Sequence, residues 1–184
     1  MNHTLTKITA DVSLTPRIYV ACLASYRKGI AHGVWIDADL EIELIKKKVK
    51  RMLAKSPVEW AEEYAIHSFE GFYELWVGED EHLDSVHEKA MFVMEHGELG
   101  AKLAAYYGED LEDAREALEN FYEGKYKSEL NFARELFDEC YLPAIPENVQ
   151  AYIDYEAFCR DIFIQDYFSL TLDIKGSCHV FRTH

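Results

Sequence analysis

RIYVACLASYRKGIAHGVWIDADLEIELIKKKVKRMLA, Arg17–Ala54, is the stretch that decides the fold class. Its opening, Arg17–Leu23, is β-branched and aromatic and reads as a strand. Tyr26–Gly33 reads as a turn, and Gly33–Ile36 (GVWI) as the returning strand of a hairpin. The period then changes. Ile42, Ile45, Val49, Met52 and Leu53 recur at helical spacing, so they share one face. Lys46, Lys47, Lys48, Lys50, Arg51 and Lys55 spread round the other side, the ordinary pattern of a solvated face. Asp37 or Asp39 is placed to cap this helix, and Ser56-Pro57 to end it. Trp60–Phe69 predicts a third strand around Tyr64–His67. A hairpin, a helix and a strand that returns specify an α+β chain.

Beyond the polar stretch Gly78–Glu81 the pattern is helical. Leu83–His96 is expected to stop at Gly97, Leu99–Tyr107 at Gly108, and Asp110–Tyr122 at Gly124, because glycine after the last helical residue is a C-terminal signal. Ser128 is placed to cap a helix through Cys140, Pro146 to open Glu147–Ile153, and Asp154 to cap Tyr155–Phe163. Strand character returns at Tyr167–Ile174 and Cys178–Arg182, joined by Lys175-Gly176-Ser177. The expected organisation is an N-terminal tail (residues 1–16), an α+β domain (17–73), a helical acidic domain (74–124) and an α+β domain of helices with a short antiparallel sheet (125–184).

With 184 residues, 49% hydrophobic and 14% aromatic, the chain has ample material for a core. No apolar run approaches the roughly 20 residues of a membrane span. Met1–Thr15 is polar and lacks the apolar segment of a signal peptide, so a cytoplasmic protein is expected. Cys22, Cys140, Cys159 and Cys178 are scattered without a C-x-x-C pair, which suits reduced thiols.

Charge is distributed unevenly. Residues 1–55 carry a net of +5 and residues 56–184 a net of −20. So much excess carboxylate repels itself, nucleic acid and anionic lipid, and attracts basic protein surfaces. It is densest between Glu109 and Glu123. On one continuous helix, Glu109, Glu112, Asp113, Glu116, Glu119 and Glu123 fall within one sector, opposite Leu111, Ala114, Leu118, Phe121 and Tyr122. At a rise of 1.5 Å per residue they span about 21 Å, roughly one charge per 3.5 Å. A DNA strand carries one phosphate per roughly 3.4 Å. Glu79, Asp80, Glu81, Glu129, Glu135 and Asp138 extend the acidic surface, interleaved with aromatics and so within folded elements.

Two other readings compete with an acidic binding surface for a DNA-binding protein. His82, Asp84, His87 and Glu88 include a D-x-x-H pair at helical spacing, which points to a carboxylate–histidine metalloenzyme, although only one such motif is present. The chain also suits an acidic adaptor for some other basic protein. Nucleophilic catalysis and phosphate-loop binding lack their motifs: there is no G-x-S-x-G and no Gly-rich loop.

Thr15–Ala38 (TPRIYVACLASYRKGIAHGVWIDA) and Glu62–Phe72 (EEYAIHSFEGF) resemble the N-terminal signature of ArdA-type antirestriction proteins. Pro146–Phe163 (PENVQAYIDYEAFCRDIF) and His179–Arg182 (HVFR) are similar to the C-terminal part of that family. The resemblance implies a protein of mobile elements that mimics bent B-form DNA and occupies the DNA-binding groove of type I restriction–modification enzymes, made of a methyltransferase core with its specificity subunit. It implies no catalysis, no cofactor and no direct nucleic-acid binding. It also implies an elongated chain of three small domains, paired as a homodimer through the C-terminal one. The antirestriction motif falls near Leu136–Val149, and by resemblance Leu136, Phe137, Cys140, Tyr141, Leu142, Pro143, Ile145 and Val149 form the dimer contact. Lys46–Lys55 departs from the family's usual acidity.

Overall fold

The computed structural model describes residues 15–172 and 176–183. The expected tail up to Leu14, and Asp173, Ile174 and Lys175 of the C-terminal hairpin, lie outside the described residues. The chain divides into two compact units, residues 1–101 and 102–184.

In the first unit, β1 (Arg17–Cys22), β2 (Gly33–Asp37) and β3 (Tyr64–Glu70) form an antiparallel sheet in the order β2-β1-β3. Ile18 pairs with Ile36 on one side and with Phe69 on the other. Alternation along β1 buries Ile18 and Val20, and leaves Arg17 and Tyr19 partly exposed. The hairpin connection contains one short helical turn, α1 (Leu23–Tyr26), where a plain turn was expected. α2 (Ile42–Ala54) buries Ile45, Val49 and Met52, as its periodicity predicts. Each such side chain removed from water is worth about 1.5–3 kcal/mol. The expected cap is not used: Glu41 is the N-cap residue and makes no side-chain capping bond. The backbone is still tied to the sheet at Ala38, whose N–H donates to the Pro16 carbonyl at 2.7 Å, so the helix begins beyond both aspartates.

α3 (Leu83–Tyr106) is interrupted at Gly97, where φ is 61° and ψ −153°. The two helices expected on either side of this glycine are therefore present, joined without a loop. The break folds His96 towards Gly100: a Cβ on Gly100 would lie 2.3 Å from His96 Cβ. The Phe92 and His96 rings meet at 4.7 Å.

In the second unit, α4 (Leu111–Glu116) runs into a π-helical turn, Ala117–Phe121, and then into β4 (Tyr122–Tyr126). α5 (Glu129–Cys140), a 3₁₀ turn at Leu142–Ala144, α6 (Glu147–Gln150) and α7 (Tyr155–Gln165) follow. β5 (Tyr167–Thr171) and β6 (Cys178–Arg182) complete an antiparallel sheet in the order β4-β6-β5. Ser128 caps α5 by accepting from the Asn131 N–H, and Asp154 caps α7 by accepting from the Ala157 N–H. Pro146 is the N-cap residue of α6 rather than its first helical residue, the position expected for it. Phe132, Ala133, Ile162, Cys178 and Val180 form the core, with Leu136, Phe158 and Phe163 packed against it. Phe181 faces away from Val180 along β6 and stacks on Phe168 at 5.2 Å. Phe168 in turn stacks on Tyr106 at 4.3 Å.

β4 corrects the expected third helix. A bulge between Tyr122 and Gly124 puts Tyr122 opposite Phe181 and Tyr126 opposite Cys178, on different faces, and pairing with β6 overrides local helix preference. The Tyr122 hydroxyl lies 2.7 Å from His179 Nδ1, and its ring lies 5.0 Å from that of Phe181. Gly124 does not end a helix. It takes φ 127° at a bulge in β4. The expected domain boundary after Gly124 thus falls inside this strand.

Candidate functional site

The acidic segment begins with two successive left-handed residues, Gly108 (φ 69°) and Glu109 (φ 71°). The Glu109 N–H donates back to the Ala104 carbonyl at 2.7 Å, closing the preceding helix. Asp110 then opens α4, its carboxylate accepting from the N–H groups of Glu112 (2.9 Å) and Asp113 (3.1 Å). α4 buries Ala114 and exposes Glu112, Asp113 and Glu116. Glu112 and Asp113 stand in the first turn, where the helix dipole favours negative charge and offsets part of their mutual repulsion.

The single helical stripe needs correction. Only Glu112, Asp113 and Glu116 lie on α4. Glu109 precedes the helix and is half-buried, Glu119 sits on the wider π turn, and Glu123 belongs to β4. The regular pitch computed along one helix therefore does not extend over all six. What remains is a run of exposed carboxylates at Glu112, Asp113, Glu116, Glu119 and Glu123, carried by three kinds of backbone in succession. Glu123 lies 3.7 Å from the Arg182 guanidinium.

Neighbouring phenols register this charge. The Tyr107 hydroxyl is pushed above its usual value by burial, by Tyr106 and by Asp113 and Glu116. Tyr126 is pushed up by burial and by Glu135, Glu123 and Glu139. A phenolate beside carboxylates is disfavoured, so these carboxylates add to the larger effect of burial. Glu129 acts likewise on two thiols: burial first, and Glu129 second, raise Cys159 and Cys178.

Elsewhere the predicted acids divide into two kinds. Glu79 and Asp80 are exposed, with Glu79 3.7 Å from His67. Glu81 turns inward. It accepts from the Gly78 N–H (2.9 Å) and the Ser85 hydroxyl (2.7 Å), and it pairs with Lys89 at 3.0 Å. Burial raises its pKa, but these hydrogen bonds and the ammonium outweigh burial and hold the carboxyl below its ordinary value. Its charge is used within the fold. Glu129, Glu135 and Asp138 are exposed on α5, where Glu129 accepts from Ser169 and Asp138 from Tyr155.

The segment implied as a dimer contact covers the end of α5, the 3₁₀ turn and the start of α6. Phe137 packs edge-on against Tyr155 (5.4 Å) and Phe158 (5.0 Å), so with Leu136 it serves the unit's own core. Leu142 and Ile145 are partly buried, whereas Cys140, Tyr141, Pro143 and Val149 are exposed. Tyr152, absent from the predicted set, is 84% exposed. The sequence offered one signal for it: an aromatic in the short gap between Pro146 and the Asp154 cap.

The residues of the metal reading are engaged apart from one another. Asp84 accepts from Lys46 at 3.0 Å, and His87 Nδ1 lies 2.9 Å from the Ala38 carbonyl. Among the described residues, no three His, Cys, Asp or Glu side chains converge as a set that could hold an ion. Nor is any described helix long and apolar enough to cross a membrane.

No curated protein matches the chain. The sequence profile of one family, described as antirestriction protein (ArdA), matches residues 18–173. That range holds both sheets' first strands, the acidic segment and the α5–α6 segment, and it covers most of the chain. This chain belongs to the ArdA family of antirestriction proteins.

Proposed function

We propose that this protein inhibits type I restriction–modification enzymes by presenting carboxylates where those enzymes bind DNA phosphates. The observation that carries the reading is the exposed run Glu112, Asp113, Glu116, Glu119 and Glu123. It lies within residues 56–184, whose net charge is −20. Phosphate contacts supply a large share of DNA affinity and are made mostly by Lys and Arg. A folded surface with dense fixed carboxylates offers those side chains an equivalent partner. Glu79, Asp80, Glu129, Glu135 and Asp138 extend the surface. Each acts as a fixed charge, and none does covalent chemistry. The protein is a binder rather than a catalyst, and its work lies in the cytoplasm.

In this reading the part after β4 also makes a homodimer, through Tyr141, Pro143, Val149 and the neighbouring Tyr152. A dimer carries two copies of the acidic surface.

The test is competition. A type I methyltransferase core with its specificity subunit is bound to a labelled DNA duplex, and the protein is added. Displacement of the duplex at stoichiometric protein, reversed by excess DNA, is the expected result. If the protein binds the core while the duplex stays bound, groove occupation is wrong and an acidic adaptor role takes its place.

A further inference from the structure

A cavity of about 530 Å³ opens along β3, the edge strand of the first unit's sheet, and its lining includes Tyr26, His67, Phe69, Trp76, Val77 and Glu79. The chain after β3 returns to form the far wall, where the Ile66 N–H donates to the Glu79 carbonyl at 2.9 Å. Trp76 is held in this wall from both sides. Leu75 and Val77 are buried, and the Trp76 carbonyl accepts from the buried Lys89 ammonium at 2.7 Å. With both sequence neighbours turned inward, the indole is turned out and is 65% exposed.

Tyr26, also at this cavity, is 62% exposed, and among the described large apolar side chains of this unit only Trp60 is more exposed than these two. Both rings are braced by a neighbour. Trp76 meets Phe69 edge-on at 5.2 Å, and Tyr26 meets His67 edge-on at 4.7 Å. The charge here is of one sign. Glu79 is the one carboxylate among the described lining residues, exposed Asp80 follows it, and no Lys or Arg is among them. Arg27, next to Tyr26, is engaged by Glu63 at 3.1 Å.

We propose that this cavity takes an arginine side chain of a protein partner, with the guanidinium against the Trp76 indole and the Glu79 carboxylate. Exposed aromatic rings beside a carboxylate suit a cation with an apolar face, and indole is the best of the rings for this contact. A guanidinium is planar, weakly hydrated and able to stack on a ring while it pairs with a carboxylate. An ammonium is compact and holds its water more firmly. Phosphates and carboxylates are repelled by Glu79 and Asp80. Tryptophan and arginine are also the residues that most often dominate the energy of an interface. The pocket would therefore give a partner one apolar anchor that fixed carboxylates cannot supply. That the partner is a type I enzyme rests on the function proposed above; the arginine pocket itself does not.

The experiment has two arms. In the first, the full chain is titrated with N-acetyl-arginine methylamide, and the indole N–H signals of its three tryptophans are followed by NMR. The Trp76 signal is expected to move and saturate, and those of Trp35 and Trp60 to stay in place. The lysine derivative is expected to bind at least threefold more weakly, and the uncharged citrulline derivative not to bind. Glu79→Gln, at an exposed position, is expected to weaken arginine binding at least threefold and keeps the fold even if Trp76→Leu does not. No movement of Trp76 at molar excess, equal movement of all three indoles, or equal binding of citrulline overturns the pocket. In the second arm, Trp76→Leu is expected to weaken inhibition of a type I enzyme at least threefold with its salt dependence unchanged, because no charge is removed. Trp60→Leu is expected to inhibit as the parent does. Failure of the parent itself to inhibit overturns the proposed function and leaves the first arm to decide the pocket. Full inhibition by Trp76→Leu, with arginine bound in the first arm, overturns the assignment of that enzyme as the arginine's source.

Discussion

Lys89 is buried with its ammonium 3.0 Å from the Glu81 carboxylate, and it also donates to the Trp76 carbonyl at 2.7 Å. One acid of the acidic chain thus anchors the turn after β3 to the first turns of α3. A buried cation tolerates loss of its partner poorly, because the uncompensated charge stays out of water.

Glu81→Ala is therefore expected to destabilise the protein by roughly 3–5 kcal/mol. Asp80→Ala, next to it and exposed, is expected to change stability by less than about 0.5 kcal/mol. Urea unfolding measures both. The pH dependence has a definite sign. The folded pKa of Glu81 is depressed below the ordinary carboxylate value of 4.5, so its contribution is complete above that value. It disappears as the pH falls through the lower, folded value. Glu81→Gln is expected to remove that part of the acid sensitivity. An unchanged acid-unfolding profile would show that the pair contributes nothing.

Gly97 gives a prediction whose sign separates two descriptions of α3. In a regular helix interior, Gly→Ala stabilises by about 0.5–1 kcal/mol. At φ 61° and ψ −153° the backbone is in a region reserved for glycine. There Gly97→Ala is expected to cost about 1–3 kcal/mol. A raised melting temperature in that variant would mean that the helix is continuous.

Local signals made much of this fold legible. RIYVAC, GVWI and the Ile45–Val49–Met52 stripe specified a sheet and its covering helix, because one face of each is buried. Ser128 and Asp154 announced two helices through a single hydrogen bond each. Glycine was less dependable: Gly97 and Gly108 end helical stretches, but Gly124 serves a bulge in β4. Nothing near Tyr122 reveals that its partner is β6, more than fifty residues later, and that long-range pairing cut the acidic stripe short. Side-chain direction was equally hidden. Glu79, Asp80 and Glu81 read alike in sequence, yet only the third meets an ammonium inside the fold.

The acidic surface can be read through its phenols. Asp113→Asn with Glu116→Gln is expected to lower the Tyr107 pKa toward 10.0, though not fully, because burial is the larger cause. Tyr122, raised by burial and by Tyr126, is expected not to respond. Site-resolved NMR titration checks both. Equal responses at the two tyrosines would mean that the field is diffuse rather than local.

The homodimer prediction is one of mass. Sedimentation of the purified protein is expected to give about twice the chain's 21.4 kDa. Tyr141→Ser with Tyr152→Ser, which removes two exposed aromatics of the proposed contact, is expected to return it to the monomer without loss of helix content. Phe137→Ser is no substitute. Phe137 packs on Tyr155 and Phe158, so its loss unfolds the unit whether or not a dimer forms. A double variant that remains dimeric places the contact elsewhere.

The final prediction concerns how inhibition is shared among the carboxylates. Exposed charge pairs contribute little one by one, about 0–1 kcal/mol each. Glu112→Gln or Glu116→Gln alone is therefore expected to change inhibition of a type I enzyme by no more than a few fold. Neutralising Glu112, Asp113, Glu116, Glu119 and Glu123 together removes five exposed charges from one short segment. That variant is expected to weaken inhibition at least tenfold and to make it less sensitive to salt, since screening acts on the charges removed. Glu109 and Glu81 can be left intact in this design, because one is half-buried and the other is committed to Lys89. Helix content supplies the control: the Asp110 cap is retained, so α4 keeps its start. Full inhibition by the five-fold variant, with unchanged salt dependence, would remove this segment from the mimic and leave Glu79, Asp80, Glu129, Glu135 and Asp138 to account for it.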